Sequence, residues 1–198
     1  MPDDLATPPA GRVGHAVRVR RAAADDAPAL ADLAALTFPL ACPPGTSPEA
    51  IAQHVATQLS PDRFRAWAAS ARHALLLVEP VPDGVALGGP LGYALLVRGV
   101  PDDPDVALAV GPGEAVELSK IYVHPDAQGT GVASALMTAT TEAASHLGRG
   151  LPVWLGTNGL NARAQAFYRK HGFTTVGSRT YVVGGEEHSD VVMAHDPS

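Results

Sequence analysis

The sequence predicts a mixed α/β fold in which helices flank a sheet, and two observations lead to that class. Strand-like and helix-like segments follow one another in the order strand, two or three helices, three strands, helix, strand, helix and two strands. Residues 116–136, in addition, are typical of a strand, a glycine turn and a helix in direct succession. A chain of 198 residues is long enough to bury a core around these segments without structural disulfides.

Composition argues against several classes of function. The net charge of −6 disfavours nucleic acid as the main partner. The single cysteine, Cys42, cannot close an internal disulfide, which favours a reducing cytoplasm. The N-terminus lacks a signal-peptide pattern and no apolar run is long enough to cross a membrane, so we expect no membrane association. The eight histidines show no paired metal spacing, so we expect no metal.

The chain is predicted to form one domain from residue 15 to residue 198. Residues 1–14 contain three prolines and few apolar residues, which predicts a disordered N-terminal tail. The connection 99–113 is rich in Pro, Asp and Gly and is predicted to be a solvated loop without function.

The elements outside the central unit have recognisable boundaries. Asp25, Ser47 and Ser60 are the predicted N-caps of the first three helices. Asn161 is the predicted cap of a later helix, and Gly172 supplies its left-handed stop. The predicted strands here are 17–21, 74–79, 91–98, 152–157, 173–183 and 187–193, the last two joined by a turn at Gly184–Gly185.

The turn Gln128–Gly131 carries the strongest functional signal. The strand before it stops at Pro125, which cannot donate a ladder hydrogen bond. The helix after it repeats apolar residues on one face, namely Val132, Ala135, Leu136, Ala139 and Ala143. Glycines that open a helix leave several amide N–H groups and the positive end of the helix dipole directed at one place. The pattern predicts an anion site, most often for phosphate, and the alternative is a strand–turn–helix without a ligand.

Two common phosphate motifs do not fit this turn. No Gly-Lys-Ser/Thr run of a Walker loop is present in the chain. A dinucleotide fingerprint would need a third glycine where Ser134 stands and an acidic residue closing the next strand, and both are missing.

The central strand changes the side on which its apolar residues lie. Val116 and Leu118 have one parity, and Ile121 and Val123 have the other. A strand packed on one core can do this only if an extra residue is inserted, which predicts a β-bulge near Ser119–Lys120. A strand buried on both faces is the alternative.

Two segments resemble the signatures of the GNAT acetyltransferase superfamily. Residues 128–133, Gln-Gly-Thr-Gly-Val-Ala, are similar to its motif A, Gln/Arg-x-x-Gly-x-Gly/Ala. Residues 161–173 are similar to its second signature, Asn-x-x-Ala-x-x-Phe-Tyr-x-x-x-Gly-Phe. The resemblance covers about a third of the chain by these motifs and implies a twisted, mostly antiparallel sheet flanked by helices. It also implies that the predicted bulge splays the central strand from its neighbour.

The resemblance implies acetyl coenzyme A as cosubstrate and a transfer of its acetyl group to an amine. The implied coenzyme-binding residues are Ile121, Tyr122, Val123, Gln128, Gly129, Thr130, Gly131, Val132, Ala133, Ser134, Asn161 and Tyr168. A leaving thiol with a pKa near ~8.5 and a tyrosine near ~10 are close enough for proton transfer. Tyr168 is therefore the predicted general acid, or else a core aromatic residue.

The remaining catalytic tasks are assigned by the same resemblance. The backbone N–H of Val123 is the predicted oxyanion donor. Glu117 is the predicted general base, with a solvated strand residue, a water chain or Glu114 as alternatives. Lys120 and His124 are predicted to be structural or to face solvent.

A fainter resemblance extends through residues 37–38, 47–49, 118–123 and 154–156. Together these segments are similar to the bacterial branch related to spermidine/spermine N-acetyltransferases, which implies a polyamine as the first expected acceptor. The acids predicted to hold it are Glu114, Glu117, Glu186, Glu187 and Asp190. The alternatives are a protein N-terminus or lysine, an antibiotic or amino-acid amine, or a catalytically silent coenzyme-binding module. The exposed edges of the final strands also suggest a homodimer.

Overall fold

The computed structural model of the protein describes residues 17–42, 45–81, 89–183 and 186–195. In these ranges the strands are β1 (Val17–Arg21), β2 (His73–Pro80), β3 (Gly92–Gly99), β4 (Ala115–Val123), β5 (Val153–Asn158), β6 (Thr174–Val183) and β7 (Glu186–His195). The α-helices are α1 (Ala27–Ala41), α2 (Pro48–Gln58), α3 (Pro61–Ala69), α4 (Pro104–Val110), α5 (Val132–Leu147) and α6 (Ala162–Lys170). The predicted N-terminal tail and the predicted Gly184–Gly185 turn lie outside the described residues, and the domain limits stay a prediction.

The strands form one sheet in the order β1-β2-β3-β4-β5-β7-β6. Every neighbouring pair is antiparallel except β4 and β5, which run parallel. The predicted fold class, a mixed α/β fold with a mostly antiparallel sheet, is therefore confirmed. β1 and β6 are the edges of this sheet, and the homodimer through the final strands stays a prediction.

Both faces of the sheet are covered by helices. On the first face, α5 and α6 pack against a core that includes Leu96, Leu118 and Leu136. On the second face, α1 and α3 cover a separate core that includes Phe64, Tyr93 and Leu95, while α4 covers β5 and β7. Among the described residues no helix combines the length and hydropathy needed to cross a bilayer.

The helix caps predicted from sequence are confirmed at three positions and wrong at one. The side chains of Ser47, Ser60 and Asn161 each accept a hydrogen bond from a backbone N–H in the first turn of their helix. Asp25 does not cap. The chain makes a short 3₁₀ turn there, and the Asp26 carboxylate accepts from the N–H of Ala23 at 2.7 Å.

The segment 99–113 contains a helix that the sequence analysis missed. Asp103 caps α4 by accepting hydrogen bonds from the N–H groups of Asp105 and Val106, and Pro104 occupies the first helical position. Val106, a residue of α4, is fully buried. The cap, proline and acid pattern was present in the sequence, so the prediction of a plain loop here was wrong.

The predicted bulge lies where the apolar parity changes. Leu95 of β3 pairs with Lys120, and Leu96 pairs with Leu118, so Ser119 is the extra residue on β4. The insertion returns Ile121 to the same core face as Leu118, as the parity argument required.

Candidate active site

β4 and β5 separate immediately after their first paired residues. Val116 pairs with Val153 and Glu117 with Trp154, whereas β4 follows β3 along its whole length. Within the described part of the chain, residues 118–123 have no strand partner on the β5 side, because β5 continues along β7. We call this V-shaped opening the splay; its apex is the pair Glu117–Trp154.

The backbone N–H of Val123 faces the splay. The next residue, His124, donates its N–H to the carbonyl of Leu91 on the β3 side at 2.7 Å. Because successive N–H groups point to opposite sides of a strand, the N–H of Val123 points away from β3. This is the direction required of the predicted oxyanion donor.

The turn after β4 forms a cradle of backbone N–H groups. Gly129 and Gly131 have φ values of 77° and 93°, in the left-handed region that favours glycine. The first bond within α5 runs from the N–H of Ala135 to the carbonyl of Gly131 at 3.0 Å. The amides of residues 132–134 therefore lack helical acceptors, and no side chain caps this helix.

Space is available at the same place for an anionic group. A Cβ added at Gly131 would have no atom within 4 Å. Thr130 directs its hydroxyl back into the turn, where it donates to the carbonyl of Ala127 at 2.6 Å. Free amides, a helix N-terminus and open space fit the pyrophosphate of a coenzyme. The amide of Ala164 at the start of α6 is instead taken by the Asn161 side chain at 2.9 Å.

Tyr168 lies on α6, where it packs against the core of the first face. Its ring packs against Phe167 and Phe173 at centroid distances of 5.6 Å and 6.1 Å. Burial, and to a smaller extent the neighbouring Tyr122, raises the pKa of Tyr168 to about 12. Tyr168 therefore stays protonated at neutral pH.

Glu117 lies on the second face of the sheet, at the apex of the splay. Burial raises the pKa of its carboxyl, which Asp102 also raises, while Lys120 and Arg179 oppose the shift. A carboxylate with a raised pKa is a better proton acceptor than an ordinary surface glutamate. Glu117 is half-buried, and its role as the general base stays a prediction.

Lys120 and His124 have different environments. The Nδ1 atom of His124 accepts from the N–H of Asp126 at 3.2 Å and so caps a 3₁₀ turn, in line with the structural role predicted for it. Lys120 is half-buried, and its ammonium lies 5.3 Å from the ring centroid of Trp67.

Two of the acids predicted to hold a polyamine are engaged by arginines. Glu114 pairs with Arg72 at 2.7 Å and also with Arg98. Asp190 pairs with Arg179 at 3.0 Å and is almost fully buried. Both acids thus have arginine partners, and the idea that they hold a polyamine stays a prediction. The side chains of Glu186 and Glu187 lie outside the described residues.

A cleft of about 310 Å³ opens beside Glu117 on the second face. Its lining includes Asp102, Trp154 and Arg179. The guanidinium of Arg179 lies 6.0 Å from the Trp154 ring centroid. These residues could not be found from the sequence. Arg179 comes close to Glu117 only because of the strand order β5-β7-β6, which no local sequence pattern predicts. The described residues contain no cluster of side chains able to hold a metal ion.

Comparison with known proteins identifies the family. The family model described as an acetyltransferase (GNAT) domain matches residues 85–175. An uncharacterized N-acetyltransferase of Mycobacterium tuberculosis, Rv2669, is 44% identical over 171 residues, which are 86% of this chain and 97% of that protein. The chain belongs to the GNAT N-acetyltransferases. It is therefore an acyltransferase, while the narrower spermidine/spermine branch stays a prediction.

Solved structures share the fold of this GNAT protein. The PaiA N-acetyltransferase of Thermoplasma acidophilum, crystallised with coenzyme A, aligns with a TM-score of 0.66 at 15% identity, covering 92% of this chain and 99% of that chain. The ribosomal-protein-S18-alanine N-acetyltransferase of Escherichia coli aligns with a TM-score of 0.57 at 20% identity, covering 91% and 94%. At these identities the likeness supports the fold alone.

Proposed function

We propose that this GNAT protein transfers the acetyl group of acetyl coenzyme A directly to a primary amine. The observation that carries the proposal is the splay between β4 and β5, which ends in the free amides at the start of α5. The pyrophosphate would bind these amides, and the pantetheine arm would enter the splay beside Val123. Glu117 and Tyr168 would then meet the thioester from the two faces of the sheet.

The reaction assigns one proton transfer to each side chain. The amine nitrogen attacks the thioester carbon, so a C–N bond forms and the C–S bond breaks. Glu117 takes the proton that the nitrogen loses, the N–H of Val123 stabilises the oxyanion, and Tyr168 protonates the departing sulfur. Solvent returns the proton from Glu117 to Tyr168, and the products are an N-acetyl amide and coenzyme A.

The raised pKa of Tyr168 restricts when it can act. A thiol has a pKa of about 8.5, so a tyrosine at about 12 is a weaker acid than the free residue, whose pKa is about 10. The two pKa values lie further apart than the sequence analysis expected. Tyr168 would therefore donate only while negative charge accumulates on the sulfur, and it would remain neutral otherwise.

The acceptor that we propose first is a polyamine. Besides the resemblance, the support is the cleft beside Glu117, whose lining holds three acids, Glu117, Asp102 and Asp103, against one cation, Arg179. These two aspartates take the place of Glu114 and Asp190, whose charges are balanced by arginines. Partly exposed pairs are screened by salt, so higher ionic strength should raise the KM for spermidine. A protein N-terminus, a lysine side chain and an amino-acid or antibiotic amine are the rival acceptors.

The proposal is tested by release of coenzyme A thiol from acetyl coenzyme A with spermidine, spermine, a peptide with a free N-terminus, and lysine. We expect amine-dependent release that Tyr168→Phe and Glu117→Gln both reduce strongly. Turnover with the peptide and none with either polyamine would remove the polyamine acceptor. No turnover above hydrolysis with any amine, together with intact coenzyme binding, would support the silent-module alternative.

A further inference from the structure

The bulge in β4 places Lys120 next to Glu117. Across the sheet, Glu117 pairs with Val97 and Lys120 pairs with Leu95. Val97 and Leu95 are two residues apart on a regular strand, so their partners share one face. Without the inserted Ser119, Lys120 would point to the opposite face, into the core beneath α5.

Lys120 is held in this position by an aromatic platform. Its ammonium lies 5.3 Å from the Trp67 ring centroid and 3.4 Å from the Ser119 hydroxyl oxygen. Trp67 is fixed in turn by an edge-to-face contact with the fully buried Phe64, at 5.1 Å and 85°. An aromatic face attracts a cation, so the platform favours a charged ammonium here.

The charged groups around this pair come from several elements. Facing Glu117 are Lys120 from β4, Arg179 from β6 and Asp102 from the segment before α4. Facing Lys120 are Glu117 and, from α3, Arg63. Burial, and after it Lys120, lowers the pKa of His54 on α2. Burial drives both members of the pair toward their neutral forms, and each opposes that drive in the other.

Lys120 is the more effective of the two cations near Glu117. Arg179 has a carboxylate, Asp190, within 3.0 Å, which balances much of its charge. Among the ion pairs of the described residues none involves Lys120, so its field is not cancelled at short range. Lys120 and Glu117 form no direct ion pair among the described residues, so Lys120 acts on the carboxylate through its field.

We propose that Lys120 is a positioning residue for the reaction: held over Trp67, its ammonium keeps the Glu117 carboxylate ionised at the apex of the splay. This rests on the proposed role of Glu117 as the base. A neutral Glu117 could not take a proton from the amine. Without Lys120 the Glu117 carboxylate would become protonated, and activity would fall, already at mildly acidic pH. The bulge then has two consequences, since it opens the splay and sets the charge beside the base.

The test reads Glu117 directly, without an acceptor. In protein labelled with ¹³C at glutamate side chains, the Glu117 carboxyl signal is the one that disappears in Glu117→Gln. We expect its titration midpoint to move to higher pH in Lys120→Gln and to return toward the parent in Lys120→Arg. Arg63→Gln is the matched control, because Arg63 lies 5.8 Å from the same Trp67 ring but does not act on Glu117, so the midpoint should stay at the parent value.

The kinetic arm uses acetyl coenzyme A and the best amine of the panel. The ratio of kcat/KM at pH 6 to that at pH 8 should fall at least about threefold in Lys120→Gln relative to the parent, since half a pH unit is a factor of three. A ratio and midpoint that stay at parent values in folded Lys120→Gln would overturn the proposal. So would a shift that Lys120→Arg fails to reverse, because charge would then not be the cause.

Two further variants keep the outcomes separable. If Lys120→Gln does not fold, Lys120→Met removes the same charge while keeping an apolar side chain over Trp67. The titration midpoint of Glu117 in that variant then tests the proposal. Full activity in Glu117→Gln would contradict the base assignment under Proposed function, whereas the midpoint comparison concerns Lys120 alone.

Discussion

Glu117 and Trp154 are the last residues through which β4 and β5 pair, and the strands diverge beyond them. One consequence is chemical, because the predicted base stands at the narrow end of the only parallel junction described in the sheet. The other is structural, because Trp154 is buried under α4 and anchors the β5 side of the junction. The opening is thus flanked by a bulge on one strand and a packed tryptophan on the other.

Gly131→Glu should abolish most coenzyme binding. The new carboxylate would stand among the free amides of α5 and repel a pyrophosphate. Losing two charge-assisted hydrogen bonds, about 3 kcal/mol, corresponds to a rise in Kd on the order of 10²-fold by calorimetry. Gly150→Glu is the matched control, since Gly150 also has a positive φ and open space around it, but lies beyond the other end of α5. Equal Kd values for the two variants would refute the anion cradle.

Tyr168→Phe should lower kcat by about 10²-fold or more with little change in coenzyme affinity, the scale expected for loss of a general acid. The control is Tyr93→Phe, because the Tyr93 hydroxyl is buried without a hydrogen-bond partner among the described residues. That control should retain the parent kcat and lose no stability. Activity of Tyr168→Phe within twofold of the parent would reduce Tyr168 to a packing residue.

Glu117→Gln should lower kcat/KM by about 10²- to 10⁴-fold near neutral pH, the range for loss of a general base. Because burial raises the pKa of Glu117, the acidic limb of the parent profile should lie above the ordinary glutamate value of 4.5. The limb should vanish in Glu117→Gln. Glu114→Gln discriminates between the two candidate bases, and a collapse of activity there with Glu117→Gln unaffected would reverse the assignment.

Local chemistry explains what the sequence could predict. Glycine torsions, caps such as Ser47 and the parity change around Ser119 act within a few residues, so they are visible in the chain itself. The pairing of Glu114 with Arg72 joins residues 42 positions apart in the sequence. Such contacts depend on strand order, which is why the sequence did not reveal the arginine partners of Glu114 and Asp190, whereas the turn and the bulge were predicted.

The last prediction concerns stability in acid and centres on Arg20. Its guanidinium bonds Asp26 at 2.7 Å and Glu79 at 3.1 Å, and it lowers the pKa of both carboxyls. Carboxyl groups whose pKa is lower in the folded state stabilise the fold at neutral pH, and that stabilisation is lost as the pH falls through the folded values. The loss should therefore begin near the ordinary values of 3.8 and 4.5 and continue below them.

Urea unfolding of the parent and Arg20→Gln at pH 7, 5 and 3 measures this effect. At pH 7 the variant should be less stable by about 1–2 kcal/mol, since these partly exposed pairs are screened by solvent. The difference should shrink toward pH 3, because the carboxyls of the unfolded chain are then protonated, so that keeping them ionised beside Arg20 stabilises the folded parent less. Arg65→Gln is the control, since the Arg65–Asp62 pair is exposed on α3 and should contribute little at any pH. A deficit in Arg20→Gln that is as large at pH 3 as at pH 7 would mean that Arg20 acts by packing rather than by charge.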